Sequence, residues 1–181
     1  MALAQEKIYT TDDIYELPEG HRAELIDGKM FMMAPPSRMH QAIVGEIFAA
    51  IREYIKKNRG DCKVYLAPFA VFLNADHRNY MEPDISVICN KDKLDERGCN
   101  GAPDWVIEVV SPSSQQMDYY RKLYKYQNAG VREYWIVDKE KNRIMVHRFE
   151  KEEGEEYTFE DVVPVRSEER RVGKECRSRW S

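Results

Sequence analysis

Residues 105–110, WVIEVV, place a glutamate, Glu108, inside the most apolar short run of the sequence. Pro103 and Pro112 bound this run, and the five apolar residues around the glutamate predict a strand that is buried on both faces. An ionised carboxylate in such a strand costs several kcal/mol unless it is paired, hydrogen-bonded or bound to a cation. The sequence therefore predicts that Glu108 has a functional partner and is not placed there by packing.

The bulk composition predicts one soluble globular domain. A chain of 181 residues can bury a sizeable core, and its contents of 43% hydrophobic and 33% charged residues suit a globular protein. No apolar run approaches the roughly 20 residues that cross a bilayer, and the N-terminus lacks the core of a signal peptide. We therefore expect a cytoplasmic protein with no membrane partner.

The cysteines predict free thiols. They form no C-x-x-C pair and no spacing typical of a zinc site. The four are Cys62, Cys89, Cys99 and Cys176. This pattern favours a reducing compartment in which the thiols stay unpaired.

Residues 166–181 differ in composition from the rest of the chain. They carry six basic and three acidic residues, so that residues 1–165 hold a net charge of −7 within the total of −4. The predicted domain therefore spans residues 1–165, and residues 166–181 are interpreted as a non-native or disordered tail, with a basic arm as the alternative. The acidic body does not favour extended contact with a phosphate backbone.

The order of the predicted elements indicates an α/β or α+β domain around a mixed sheet. Asp27 and Gly28 lie between two apolar runs and predict a tight hairpin turn, while Ser37 predicts a helix N-cap. Ser113 and Gln116 form a capping-box pattern, and Gly130 marks the end of the helix that they open. Strands are predicted at residues 23–26, 29–33, 63–73 (bent at Pro68), 84–89, 104–110, 131–138, 143–149 and 157–163, and helices at 38–57 and 113–128.

A second carboxylate, Asp84, stands at the mouth of the strand that precedes the Glu108 strand. If the two strands are neighbours, the two carboxylates come side by side and repel each other strongly. Either one of them then holds a proton or a divalent cation lies between them. Hard oxygen ligands suit Mg²⁺ or Mn²⁺.

The helix after the Glu108 strand carries a charged stripe. Asp118, Lys122 and Lys125 fall at positions i, i+4 and i+7. Such a stripe is usually solvated, and this remains our interpretation of Lys125. Lys122 differs because the short SPSS connection can fold the helix back beside the C-terminal end of the Glu108 strand, where sites in open sheets gather. A neighbouring stripe suited to the core consists of Tyr119, Leu123 and Tyr126.

Three ordered motifs, EPDISVI, GAPDWVIEVVSPSS and MDYYRKLYKYQNAGVREYWIVD, resemble the bacterial Uma-type endonuclease family. ELIDGKM and PPSRMH are similar to its N-terminal part, so that the resemblance covers about residues 17–138. It implies the restriction-endonuclease-like core of the PD-(D/E)XK superfamily, a mixed β-sheet flanked by helices. It also implies a metal-dependent endonuclease that hydrolyses phosphodiester bonds of nucleic acid, with DNA as the expected partner.

The resemblance assigns roles to individual residues. Asp84 corresponds to the first aspartate of the motif and Glu108 to its second acidic residue. The superfamily pattern has a lysine two positions later, where this chain has Val110, and the resemblance implies that Lys122 supplies that group instead. The implied catalytic residues are therefore Asp84, Glu108 and Lys122. The implied ligands of Mg²⁺ or Mn²⁺ are Asp84, Glu108 and the carbonyl of Val109.

Three further residues are candidates for supporting or substrate-binding roles. Glu24 would approach the site as another acidic group, with a surface position at a strand edge as the alternative. His40, in the first helical turn, would contact substrate or a water, with a local hydrogen bond as the alternative. Asp118 would hold Lys122 in place, with an ordinary ion pair on the helix surface as the alternative.

A non-catalytic nucleic-acid-binding or regulatory module on the same fold is the alternative function. The acidic body and Val110 favour it, whereas the retained Asp84 and Glu108 argue against it. A DNA-processing role in mobile elements is a third alternative that the resemblance allows. A two-fold homodimer would suit cleavage of both strands of a duplex.

Overall fold

The computed structural model describes residues 7–165 and the backbone of residues 176–179. The helices are α1 (Thr11–Tyr15), α2 (Arg38–Lys57) and a π-helical segment (Met117–Lys122) that continues as α3 (Leu123–Ala129), with short 3₁₀ turns at Lys91–Lys93 and Phe149–Lys151. The strands are β1 (Ala23–Ile26), β2 (Lys29–Met32), β3 (Lys63–Leu66), β4 (Val71–Phe72), β5 (Tyr80–Met81), β6 (Ile85–Ile88), β7 (Cys99–Asn100), β8 (Trp105–Val109), β9 (Glu133–Asp138), β10 (Arg143–Arg148), β11 (Glu153–Tyr157), β12 (Val162–Val165) and β13 (Cys176–Arg179).

A six-stranded mixed sheet forms the centre of the fold, in the order β11-β10-β9-β8-β6-β3. Its neighbouring strands are antiparallel except for β8 and β9, which run parallel. Every residue of β8, including Glu108, is buried, as the apolar run around it predicts. The parallel pair brings the C-terminal ends of β8 and β9 to the same edge of the sheet.

A second, five-stranded sheet follows the order β2-β1-β5-β4-β7. The predicted hairpin is confirmed: β1 and β2 pair with Ile26 opposite Lys29. Asp27 and Gly28 between them have φ of 52° and 76°, the left-handed backbone that a tight primed turn requires. The hairpin carries Glu24 toward the central sheet.

The two mixed sheets and their flanking helices confirm the predicted fold class. Helix α2 buries Val44, Ile47 and Ile55 in the main core, where the rings of Trp105 and Trp135 lie 4.7 Å apart. None of the helices in the described part of the chain is both long enough and apolar enough to cross a membrane.

Two predicted strands are each divided in the structure. Residues 63–73 were expected to form one bent strand, but β3 and β4 lie in different sheets, on either side of the cis peptide between Ala67 and Pro68. Proline donates no ladder hydrogen bond, which favours a break there. Residues 157–163 divide between β11 and β12, because Thr158 donates its N–H and hydroxyl to the Asp161 carboxylate at 2.6 and 2.7 Å and closes a turn.

The prediction of free thiols is wrong for two of the cysteines. Cys62 and Cys89 form a disulfide across 27 residues of sequence, whereas Cys99 is free and buried. Lys63 lies opposite Ile88 in the β3–β6 ladder, so that the two cysteines are the next facing pair. Their spacing along the chain gives no sign of this, because the ladder alone brings them together.

The predicted tail falls largely outside the described residues. Residues 166–175 and 180–181 are not among them, and the expectation of a non-native or disordered tail is untested there. The backbone of Cys176–Arg179 pairs as β13 with β12 in an antiparallel ribbon.

Candidate active site

Asp84 and Glu108 come together at neighbouring positions of two antiparallel strands. Ile85 of β6 faces Ile107 of β8, which places the preceding Asp84 beside Glu108. Asp84 Oδ2 accepts a hydrogen bond from the Val109 N–H at 2.8 Å, and the Asp84 N–H points at Glu108 Oε2 from 3.4 Å. The two carboxylates therefore share one edge of the sheet, as the sequence predicts.

Lys122 occupies the centre of a buried carboxylate cluster. Its Nζ lies 2.8 Å from Glu108 Oε1, 3.0 Å from Glu24 Oε2 and 3.7 Å from Asp118 Oδ1. The side chains of all four residues are at most 6% exposed. The alternatives of a surface position at a strand edge for Glu24 and of an ordinary ion pair on the helix surface for Asp118 are therefore wrong.

Asp118 and Lys122 are the two buried residues of the π-helical segment and, four positions apart, lie on the same face of it. Single π-helical turns recur at functional sites. Ser114, rather than the predicted Ser113, organises the start of this helix: its hydroxyl accepts the Ser111 N–H at 2.9 Å and its carbonyl accepts the Asp118 N–H at 2.9 Å. The helix ends at Gly130, as predicted, with a φ of 89°.

Tyr126 belongs to the site, although its position in the sequence indicates a core residue. Its buried hydroxyl donates to Glu108 Oε1 at 2.8 Å. The spacing of four from Lys122 is the only sequence signal that could have revealed it. Lys125, which we interpreted as solvated, instead pairs with Asp27 at the turn of the β1–β2 hairpin.

Burial and neighbouring charges both shift the pKa values of the residues in this cluster. Burial raises the pKa of Glu108 well above its ordinary value against the attraction of Lys122, and the neighbouring carboxyls raise it further. Burial also raises the pKa of Asp118, to about 6. Burial alone would lower the pKa of Lys122, but attraction to Glu108, Glu24 and Asp118 outweighs it and holds that pKa well above the ordinary value. Lys122 is therefore a cation throughout the physiological range.

His40 reaches Asp84 from the first turn of α2. Its Nε2 lies 3.1 Å from Asp84 Oδ2, so that the alternative of a purely local hydrogen bond is wrong for the side chain. Burial lowers the pKa of His40, but the hydrogen bond and charge of Asp84 outweigh burial and raise it overall. Together, the structure brings all of the candidate side chains to one place.

A second group of residues, which the sequence did not reveal, supports Glu24. The N–H of Glu82 donates to Glu24 Oε1 at 3.0 Å. The Glu82 carboxylate in turn accepts from Arg22 Nε and from the Tyr80 hydroxyl, each at 2.7 Å. No side-chain pattern in the sequence signals this role, because the contact with Glu24 is made by a backbone N–H.

The donor atoms near Asp84 and Glu108 fit a hard divalent cation. Among the described residues, no group of three or more His, Cys, Asp or Glu side chains is arranged to hold a metal ion. Two carboxylates are nevertheless what Mg²⁺ commonly takes from a protein, with water and phosphate oxygens completing its shell. Within residues 7–165, Asp84 Oδ1 has no hydrogen-bond donor and Glu108 Oε2 has only the long contact at 3.4 Å. These two oxygens are the ones left for a cation.

Comparison with known proteins identifies the family of the chain. The model of the Uma2 family, described as "Putative restriction endonuclease", matches residues 11–172. A solved structure from Anabaena variabilis, described as "a putative nuclease belonging to DUF820", superposes with a TM-score of 0.71 at 26% identity, over 87% of this chain and 89% of that one.

A curated relative, the uncharacterized protein slr1290 of Synechocystis, is 25% identical over 124 residues. The match covers 68% of this chain and 64% of the length of that relative.

Proposed function

Since the chain belongs to the Uma2 family, we propose that it is an endonuclease that depends on a divalent metal and hydrolyses phosphodiester bonds of DNA. The observation that carries this proposal is the buried contact between Lys122 and Glu108, with Asp84 beside them. A cation and two carboxylates at the edge of a sheet are the groups that phosphodiester hydrolysis with a metal requires.

Asp84, Glu108 and the Val109 carbonyl would hold Mg²⁺ or Mn²⁺. When bound, the ion supplies Lewis-acid polarisation of the phosphate and a lowered pKa for the attacking water. Asp84 Oδ1 and Glu108 Oε2 are the carboxylate oxygens available for it, since Oδ2 of Asp84 and Oε1 of Glu108 already accept short hydrogen bonds. The Val109 carbonyl is included because the family resemblance implies it, and the N–H of the same residue binds Asp84.

Lys122 would act as a fixed positive charge. Because its pKa is raised, it stays protonated at neutral pH and is a poor general base. Its ammonium would instead orient the attacking water and stabilise the negative charge that develops on the phosphate. Glu24 and Asp118 hold that ammonium in place from two other directions.

A cleavage assay tests this function. The wild type and Asp84→Asn would be incubated with circular single-stranded DNA, circular duplex DNA and RNA, in Mg²⁺, in Mn²⁺ and in a chelator. We expect circular DNA to be opened only by the wild type and only with metal, which also distinguishes an endonuclease from an exonuclease. Lys125→Met is the control, because Lys125 lies one turn after Lys122 but pairs with Asp27, outside the site.

The non-catalytic alternative predicts a different result in the same assay. A folded wild type that slows the migration of DNA through a gel but never cuts the DNA, with or without metal, would support a binding or regulatory module. RNA cleavage without DNA cleavage would mean that the protein is a nuclease whose substrate is RNA.

A further inference from the structure

His40 offers no nitrogen with which to touch a substrate. Its Nε2 is engaged with Asp84 Oδ2 at 3.1 Å, and its side chain is only 12% exposed. The other ring nitrogen, Nδ1, is buried and, among the described residues, has no hydrogen-bond partner. His40 therefore faces two of the groups that would hold the cation, the Asp84 carboxylate and the backbone of Val109, and the short contact is the one with Asp84.

The Asp84 carboxylate is held through one of its two oxygens. Oδ2 accepts from the Val109 N–H at 2.8 Å and lies 3.1 Å from His40 Nε2. Two donors from different elements, β8 and α2, fix the rotation of the carboxylate. Oδ1 is thereby turned away from both donors, and Asp84 keeps 18% of its side chain exposed.

The position of His40 on α2 is fixed by the helix cap and by the packing of the helix. Ser37 Oγ accepts the backbone N–H of His40 at 3.2 Å, which caps the helix at the residue that contacts the site. The apolar face of α2, through Val44 and Ile47, is buried against the central sheet. A group held in this way can set the orientation of a neighbouring ligand with little freedom.

We propose that His40 is a positioning residue whose hydrogen bond fixes the Asp84 carboxylate, presents Oδ1 to the divalent cation and so sets the affinity of the site for that cation. This inference rests on the proposed function. Carboxylates that bind metals are themselves hydrogen-bonded, and loss of such a partner typically costs about 10- to 100-fold in metal affinity. His40 is such a hydrogen-bond partner of Asp84.

Calorimetric titration with Mn²⁺ tests the inference. Wild type, His40→Ala and His40→Gln would be compared at one pH, together with the control Glu53→Gln. Glu53 is exposed on the same helix, α2, and lies 13 residues after His40. We expect Mn²⁺ to bind about 10- to 100-fold more weakly to His40→Ala. His40→Gln, whose amide N–H can replace Nε2, should recover part of this loss, and Glu53→Gln should bind as the wild type does.

Cleavage at increasing Mn²⁺ gives a second readout. If His40 acts only through metal affinity, saturating Mn²⁺ restores the cleavage rate of His40→Ala to that of the wild type. A rate that stays low at saturation would assign His40 to the chemical step and overturn the positioning role. Equal Mn²⁺ affinity in wild type and His40→Ala would overturn it too, as would an equal loss in Glu53→Gln. A folded wild type that binds no Mn²⁺ would overturn the metal-dependent function itself.

Discussion

Lys122 Nζ and Glu108 Oε1 lie 2.8 Å apart in the interior, and their side chains are 6% and 5% exposed. This contact is the partner that a glutamate in an apolar strand requires. It does not balance the charge of the site, however. Four carboxyl groups surround one lysine and one histidine: Glu24, Asp84, Glu108 and Asp118 against Lys122 and His40. When all four carboxyl groups are ionised, the site holds an excess of negative charge, which burial disfavours at Glu108 and which a bound divalent cation would neutralise.

Replacing Glu108 by glutamine should abolish cleavage without destabilising the metal-free protein. The amide oxygen can still accept from Lys122 and Tyr126, while the charge that burial and the other carboxyls disfavour is removed. We expect a free energy of unfolding in urea that is equal to or higher than that of the wild type in chelator.

Glu96→Gln is the matched control for this experiment, since Glu96 is exposed and should change stability by less than about 0.5 kcal/mol. A loss of more than about 2 kcal/mol in Glu108→Gln would mean that ionised Glu108 is indispensable to the burial of Lys122.

Removing the ammonium group of Lys122 should lower the free energy of unfolding. Lys122→Met leaves Glu24, Glu108 and Asp118 buried without their shared partner, which should cost about 3–5 kcal/mol of unfolding free energy at pH 8. The cost should shrink at pH 5, where the orphaned carboxyls can take up protons. Urea unfolding at the two pH values measures it, and a cost that does not depend on pH would contradict the electrostatic explanation.

The raised pKa of Asp118 predicts that the free energy of unfolding falls as the pH rises. Burial raises its folded pKa from 3.8 to about 6, so the folded state binds its proton more tightly than the unfolded state does. The resulting stabilisation is complete below about pH 4, is lost as the pH rises through about 6, and amounts to at most about 3 kcal/mol. Unfolding of metal-free wild type and Asp118→Asn from pH 4.5 to 8 measures it. The difference in stability between the two proteins should change across this window, and a constant difference would contradict the raised pKa.

The disulfide should stabilise the β3–β6 edge of the central sheet. Closing the loop between Cys62 and Cys89, 27 residues apart, restricts the unfolded chain by about 3.5 kcal/mol in the chain-entropy treatment. A double Cys62→Ser, Cys89→Ser variant should lose about that much unfolding free energy and should no longer respond to a reductant. If the reductant leaves the wild type unchanged in stability, the bond does not carry this role.

The sequence predicts the elements whose signals are local. The hairpin at Asp27 and Gly28, the helix that begins after Ser37 and the buried strand around Glu108 all follow from turn chemistry, capping and hydrophobic runs. Asp84 and Glu108 could be paired from the sequence because two adjacent apolar strands each carry one acid.

Features that depend on three-dimensional neighbours could not be predicted in the same way. Tyr126 was assigned to the core because an aromatic residue on a helix usually packs there, and only the fold brings its hydroxyl to Glu108. Cys62 and Cys89 become neighbours only through the ladder of β3 and β6. Glu82 supports Glu24 through its backbone N–H, and a pattern of side chains does not reveal such a contact.

The most direct test of the account is calorimetric titration of Mg²⁺ or Mn²⁺ into the wild type and an Asp84→Asn, Glu108→Gln double variant. The same samples would then be incubated with circular DNA. We expect the folded wild type to bind the ion and open the circle, and the folded double variant to do neither. Ion binding that persists in the double variant, or a folded wild type that neither binds the ion nor cuts DNA, would contradict it.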